Sequence, residues 1–220
     1  MAIDLEKYRE IQAQLGGAVV LVAVSKTKPV EDIRALYEAG QRDFGENYVQ
    51  ELVDKQPQLP PDIRWHFIGH LQSNKVKYII NFVHLIHGVD SLRLLKEINK
   101  QAAKAGRVVD VLLQVFIAQE ETKFGLEPAE LADLLQTVRA TPAEWANVRV
   151  RGLMGMASFS QDTLVIKAEF RKLKQLFDIH FAEAGSPGIL SMGMSADYQL
   201  AVAEGSTMVR IGSLLFGKRG

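Results

Sequence analysis

Lys26 closes the almost unbroken apolar run Ala18-Val-Val-Leu-Val-Ala-Val-Ser25, and an amine so placed can do carbonyl chemistry. A run this rich in β-branched residues reads as a strand buried on both faces. A lysine where such a strand emerges sits at the edge of a dry interior, where desolvation disfavours the ammonium and lowers its pKa. A partly neutral amine is the nucleophile that forms Schiff bases with carbonyl compounds. The bland alternative is a lysine that snorkels to solvent beyond a strand, and Lys26 alone does not separate the two.

A second constellation lies near the carboxyl end. Gly193 and Ser195 follow one strand-like segment, and Gly212 and Ser213 follow the next. Glycines let a backbone approach a ligand closely, while serine hydroxyls and backbone N–H groups bind phosphate. Each pair alone is an ordinary turn; their joint placement is the signal. Arg210 lies in the apolar stretch Met208-Val-Arg-Ile-Gly212, and an arginine so placed is rarely unpaired. It either completes an internal ion pair, for example with Glu46, or meets the ring nitrogen of a cofactor. In the second role a cation would keep that nitrogen unprotonated and weaken the ring as an electron sink.

Other chemistry-bearing residues read less sharply. His66 and His70 span a strand and its exit rather than one helix face, with no carboxylate cluster in sequence to complete a ligand set, so no metal site is expected. His84 and His87 read as satisfied core histidines. Lys167, Arg171, Lys172 and Lys174 form the basic side of an amphipathic helix, read as a solvated face with a partner surface as the alternative. Lys123 sits in a loop that could close over a site. Ser158 and Ser160 have no evident histidine or acid partner, which argues against a serine hydrolase.

The elements that must position these residues alternate from end to end. A helix over residues 3–15 precedes strand-like segments at 18–25, 43–47, 65–69, 83–89, 108–116, 148–154, 188–192 and 207–211. Helical patterns fill the intervals, with Ser91 as an N-cap, Gly106 as a stop, and a long amphipathic helix over 163–184 ending at Gly185. Eight such units predict a single-domain α/β fold spanning 1–220, a (β/α)8 barrel with an extra N-terminal helix. In that fold the carboxyl ends of the strands carry Lys26, Glu46, Asn47, His70, Asp90, Met156 and the two Gly/Ser turns. A doubly wound open sheet is the runner-up, but no strand-linked G-x-G-x-x-G is present.

Composition narrows the class. Lys plus Arg and Asp plus Glu both number 26, which argues against a nucleic-acid binder. With no cysteine, disulfides and thiolate metal sites are excluded. The start lacks a signal-peptide pattern and no apolar run reaches membrane-spanning length. A soluble cytoplasmic protein is expected.

The chain resembles the pyridoxal-phosphate homeostasis proteins, a pyridoxal-phosphate-binding family. The matching pieces are Val22-Ala-Val-Ser-Lys-Thr-Lys28, Phe44-Gly-Glu-Asn47, Trp65-His-Phe-Ile-Gly-His-Leu-Gln-Ser-Asn-Lys75, Lys123-Phe-Gly125, Gly152-Leu-Met-Gly-Met156, Leu190-Ser-Met-Gly-Met-Ser-Ala-Asp197 and Val209-Arg-Ile-Gly-Ser213. They run in order over nearly the whole chain. The resemblance implies a barrel like the alanine racemase N-terminal domain, binding pyridoxal 5'-phosphate. Lys26 matches the lysine of the internal aldimine, and Ser195, Gly212 and Ser213 match the phosphate cradle, with Gly193 nearby. Arg210 matches the residue facing the pyridine nitrogen; Asn47 and His70 match positions lining the site less directly. It further implies a role in vitamin B6 and amino- or keto-acid homeostasis without catalytic turnover. Related racemases draw an opposing tyrosine from a second domain across a dimer, and none is expected here, nor an obligate dimer. A weak amino-acid racemase, or a cofactor-sensing module with transient protein partners, are the competing readings.

Overall fold

The computed structural model describes residues 3–118, 124–181 and 188–217. Eight parallel strands close in sequence order, β1(Val20–Val24), β2(Asp43–Glu46), β3(Arg64–Phe67), β4(Leu85–Val89), β5(Val109–Gln114), β6(Val148–Met154), β7(Ile189–Met194) and β8(Met208–Ile211). Closure is made by β8 lying beside β1, with Arg210 opposite Val22 and Ile211 opposite Ala23. The expected (β/α)8 barrel is the observed one.

Local rules set the helices around it. Helix α1(Leu5–Leu15) starts where the Asp4 side chain accepts the Lys7 N–H at 2.8 Å, and it ends on Gly16 at φ 59°. These are an N-cap and a left-handed stop. Helices α2(Val30–Glu38), α3(Val49–Lys55) and α4(Val76–Ile79) follow the first three strands. Ser91 caps α5(Leu92–Lys104), accepting the Leu94 N–H at 3.3 Å. Helix α6(Pro128–Ala140) opens with a Glu127/Glu130 capping box and Pro128 in its first turn. Helices α7(Thr163–Phe181), α8(Tyr198–Ala203) and α9(Ser213–Phe216) complete the outer ring. The expected end of α7 at Gly185 and the loop lysine Lys123 lie outside the described residues.

Along β3, β4, β7 and β8 the side chains alternate between two environments, as the period of a strand requires. Trp65, Phe67, Ile86, Leu190, Met192, Val209 and Ile211 pack in the main apolar layer. Val22, Leu85, Leu112, Met154 and Met208 form a second, smaller cluster. His66, His87, Ser191 and Arg210 occupy the alternate positions and are buried as well. The barrel interior is thus half apolar plug and half polar chain.

Three expectations need correction. β1 is not buried throughout, since Val20 at its entrance is 40% exposed while Leu21, Val22 and Ala23 are buried. The helix expected over 73–80 begins as a 3-10 turn, Ser73–Lys75, before α4. β7 runs on to Met194, with a register shift against β8 between Ser191 and Met194. Gly193 therefore lies inside the strand rather than after it, at φ 94°.

Candidate functional site

β1 delivers Lys26 to the carboxyl end of the barrel, in a turn that is half-buried at the lysine. The next residue, Thr27, has φ 63°. A β-branched residue in the left-handed region is strained, and such strain persists only where surroundings impose it. Here the Thr27 N–H donates to Glu51 Oε1 at 2.5 Å, and Lys55 Nζ holds that oxygen at 2.6 Å. Lys55 also donates to the Ser25 carbonyl and to Glu46 Oε1, both at 2.8 Å, and the Ser25 hydroxyl donates to Glu46 Oε1 at 2.6 Å. Glu46 is wholly buried and its Oε2 has no hydrogen-bond partner among the described residues. Burial pushes the Glu46 carboxyl up, against the opposing pull of Lys55 and Ser25. The residues on either side of Lys26 are thus tied to one buried ion cluster, which fixes where the turn sits.

The two Gly/Ser turns meet beside that turn. The Gly212 N–H donates to Ser195 Oγ at 3.2 Å, joining the exits of β7 and β8. A Cβ placed on Gly212 would come within 3.2 Å of the Val24 carbonyl oxygen, so β8 leaves the barrel directly against the last residue of β1. Ser213 is exposed at the start of α9. The hydroxyls of Ser195 and Ser213 and the Gly212 N–H therefore share the end of the barrel where Lys26 emerges. Gly193 serves differently: an added Cβ would lie 2.5 Å from the Ala201 Cβ. Its missing side chain admits α8.

Arg210 does not pair with Glu46, whose partners are Lys55 and Ser25. The guanidinium, 4% exposed, instead donates to Ser191 Oγ at 2.6 Å and the Gly155 carbonyl at 3.1 Å. Burial lowers its pKa to about 10, which leaves it a cation at neutral pH. Behind Ser191 the chain continues through His87 Nδ1 at 3.1 Å, then from His87 Nε2 to His66 Nδ1 at 2.9 Å, then from His66 Nε2 to Asp43 Oδ1 at 2.9 Å. Arg64 closes the far end with two bonds to the Asp43 carboxylate.

With the guanidinium able only to donate and the carboxylate only to accept, one assignment with neutral rings satisfies every link. Arg210 donates to Ser191, Ser191 to His87 Nδ1, His87 Nε2–H to His66 Nδ1, and His66 Nε2–H to Asp43. A neutral His87 agrees with its pKa, which burial first, then His66 and Arg210, holds well below 6.5. Burial opposes ionisation of Asp43, but the bonds from His66 and Arg64 outweigh it and bring the carboxyl to about 2.

The unfolded His87 takes a proton near 6.5 and the folded one does not. Its contribution is full above that pH and is lost as pH falls below it. The Asp43 contribution is present above its unfolded value of 3.8 and is lost as pH falls toward about 2. Urea unfolding at pH 7.5, 6.5 and 5.5 should show stability rising with pH across this interval, with a shallower slope in His87→Gln. Equal slopes would refute the assignment of a neutral buried ring.

Asn47 and His70 line a groove of about 450 Å³ together with Tyr48, Gln72, Lys75 and Tyr78. Lys26, Ser195, Arg210, Gly212 and Ser213 are not among that groove's lining residues. Asn47 Oδ1 is buried without a hydrogen-bond partner among the described residues. His70 Nδ1 lies 3.3 Å from Asp90 Oδ2, and its ring stacks on Phe124 at 4.4 Å. Asn47 and His70 thus belong to a groove at the exits of β2 and β3, and Lys26, Ser195, Gly212 and Ser213 to the exits of β1, β7 and β8.

Two further readings change with the geometry. Ser158 does have an acid partner, donating to Glu169 Oε1 at 2.7 Å, while Glu169 Oε2 accepts its backbone N–H. The pair pins the β6 exit to α7. On the basic face of α7, Arg171 pairs with Glu204 and Lys174 with Asp178. Missed from sequence were Lys55 under the Lys26 turn and the Asp43-to-Arg210 chain. Strand alternation was the available signal for the latter, because residues 66, 87, 191 and 210 all alternate with apolar neighbours.

The family model described as alanine racemase, N-terminal domain, matches residues 5–220. The pyridoxal phosphate homeostasis protein of Aquifex aeolicus is 45% identical over 201 residues, 90% of this chain and 86% of that one. The protein of that name from Escherichia coli K12 is 41% identical over 209 residues, 91% of this chain and 86% of that one. Among solved structures, PipY of Synechococcus elongatus PCC7942 without PLP is similar at 38% identity and TM-score 0.90, covering 97% of this chain and 99% of that one. The same protein with PLP bound gives 37% identity and TM-score 0.85, with the same coverage. Alanine racemase from Clostridium difficile 630 shares the fold at 16% identity and TM-score 0.81, over 98% of this chain and 57% of that one.

Proposed function

Because the chain belongs to the pyridoxal phosphate homeostasis protein family, built on the alanine racemase N-terminal domain, we propose that it holds pyridoxal 5'-phosphate as a Schiff base on Lys26. In this reading it acts in vitamin B6 and amino- or keto-acid homeostasis, in the cytoplasm and without catalytic turnover. The observation that carries the reading is the contact between the Gly212 N–H and Ser195 Oγ, set directly against Val24 at the exit of β1. An amine and a cluster of hydroxyl and N–H groups on adjoining strand ends suit a ligand with an aldehyde at one place and a phosphate at another. PLP bound to PipY, at 37% identity, supports the same ligand here.

Each residue has a separable task. Lys26 would hold the cofactor through its aldehyde carbon, chemistry that calls for no oxidant or reductant. Ser195, Gly212 and Ser213 hold the phosphate. Arg210, a buried cation fixed by Ser191 and the Gly155 carbonyl, would meet the ring nitrogen and keep it unprotonated. When bound, the cofactor supplies an electron sink for carbanion chemistry, and an unprotonated ring is the weaker sink. That favours holding and exchange over turnover. Asn47 and His70 border the place where an exchanging amino acid would enter.

Purified protein titrated with the cofactor should develop a visible imine band. Borohydride should fix the adduct on the peptide bearing Lys26, and Lys26→Ala should lose both signals. A protein that stays colourless in excess cofactor would overturn the proposal. Chiral analysis after incubation with single L-amino acids tests the absence of turnover. Racemisation that is rapid in wild type and missing in Lys26→Ala would replace this reading with that of an enzyme.

A further inference from the structure

At the opposite end of the barrel, the ligand atoms of Asp43, His66 and His84 lie within 4.8 Å of one another. Asp43 opens β2, His66 sits in β3, and His84 immediately precedes β4, its N–H donating to the Trp65 carbonyl at 2.8 Å. All three therefore belong to the amino-terminal mouth, where the strands enter. The His66 and His84 rings stand 5.4 Å apart between centroids. His66 and Asp43 are buried, whereas His84 is exposed. The cluster is closed on the protein side and open to water on one side.

We propose that Asp43, His66 and His84 form a binding site for a divalent transition-metal ion of the zinc type, distinct from the cofactor end of the barrel. Two imidazoles and one carboxylate are a ligand set for such an ion, with water in the open fourth position. Ligand atoms of a tetrahedral ion at bonds of about 2.0 Å lie about 3.3 Å apart. Asp43 Oδ1 and His66 Nε2 are already 2.9 Å apart. The exposed His84 ring has only to swing inward.

Arg64 is the competitor. It holds Asp43 Oδ1 through Nε at 2.7 Å, but its side chain is 47% exposed and can leave for solvent while the ion takes that oxygen. When the ion takes His66 Nε2, the neutral ring keeps its one proton but on the other nitrogen, so the His66 and His87 imidazoles both change tautomer and no net proton leaves the pair. His66 must then carry its proton on Nδ1, facing His87 Nε2. The His66–His87 bond reverses, and His87 turns an N–H toward Ser191. An ion at this mouth thereby rewrites the hydrogen bonds behind Arg210 without touching them. The second coordination sphere is already built, because His87 receives the outer nitrogen of His66.

The test is titration of metal-free, tag-free protein with Co²⁺, read by its visible ligand-field bands, and with Zn²⁺ by calorimetry. One ion per chain with tetrahedral bands is expected. His84→Ala should weaken binding by more than the roughly 10–100-fold that losing an outer-sphere partner costs. His180→Ala, on the remote helix α7, should leave it unchanged. Arg64→Gln should tighten binding if the variant folds, and His84→Ala decides the matter if it does not. Nitrogen-15 NMR of the metal-loaded protein should find the His87 proton moved from Nε2 to Nδ1. Absence of bands, or equal affinity in wild type and His84→Ala, would overturn the proposal. None of these readouts needs the cofactor, so failure here leaves the Lys26 reading intact.

Discussion

Lys55→Met should lower the unfolding free energy by about 3–5 kcal/mol, the cost of removing one partner of a buried ion pair. Lys55 and Glu46 are 2.8 Å apart, with side chains 8% and 0% exposed. Without the ammonium, Glu46 keeps only the Ser25 hydroxyl on Oε1, and its Oε2 has no partner among the described residues. An uncompensated carboxylate would then sit in the barrel wall. Replacing both partners is far less costly than replacing one, so adding Glu46→Gln to Lys55→Met should restore a large part of the loss. Urea unfolding of the two single variants and the double variant measures this directly. A Lys55→Met protein within about 1 kcal/mol of wild type would show that water reaches Glu46.

The same substitution should also impair the site without touching it. Thr27 at φ 63° stores about 1–3 kcal/mol of backbone strain. Glu51 holds its N–H, and Lys55 holds Glu51. With Lys55 gone the turn can relax and carry Lys26 away from the Gly212–Ser195 contact. The fraction of protein that borohydride fixes at Lys26 should fall in Lys55→Met even where the variant is fully folded.

This cluster shows where reading the sequence stops. The strands were legible because each is a short apolar run between polar helical patterns, and β6 appears over the same residues, Val148–Met154, in both views. Lys26, Ser195, Gly212 and Ser213 were legible because they end strands, and in a parallel barrel all strand ends share one face. Lys55 was not, because it reads as one more charge in the last turn of α3. Only the distance across to Ser25 and Glu46 reveals its role. Arg210 was recognised as needing a partner, but Glu46 was the wrong one. Choosing Ser191 requires knowing that β7 neighbours β8 and shifts register between Ser191 and Met194, which no single strand encodes. The same holds for the amino-terminal mouth. In sequence the nearest histidine to His66 is His70, four residues away, whereas its neighbours in space include Asp43 and His84.

The glycines at the strand exits extend the argument to packing, and Gly69→Ala should cost about 3 kcal/mol or more. A Cβ on Gly69 would lie 2.2 Å from the Asn47 carbonyl oxygen and 2.9 Å from the Asn47 Cα. Both atoms are backbone, so no side chain can rotate away to make room. One strand further on, a Cβ on Gly88 would meet the Gly69 carbonyl oxygen at 2.6 Å. The exits of β2, β3 and β4 therefore nest backbone to backbone, and a methyl group at Gly69 must prise β2 from β3 where the groove begins. Overpacking a core typically costs about 1–3 kcal/mol when side chains can yield; here they cannot, which places the substitution at or beyond the upper end. For a chain of this size the melting temperature should drop by roughly 6–12 °C. Gly16→Ala offers the comparison: it has φ 59° but nothing within 4 Å of an added Cβ, so it should cost only about 1 kcal/mol of local strain. Thermal melts of the two variants separate the causes, because equal losses would mean that strand-exit crowding contributes nothing. A larger loss in Gly69→Ala, together with displaced Asn47 and His70 resonances, would tie the shape of the groove to a residue whose essential feature is the side chain it lacks.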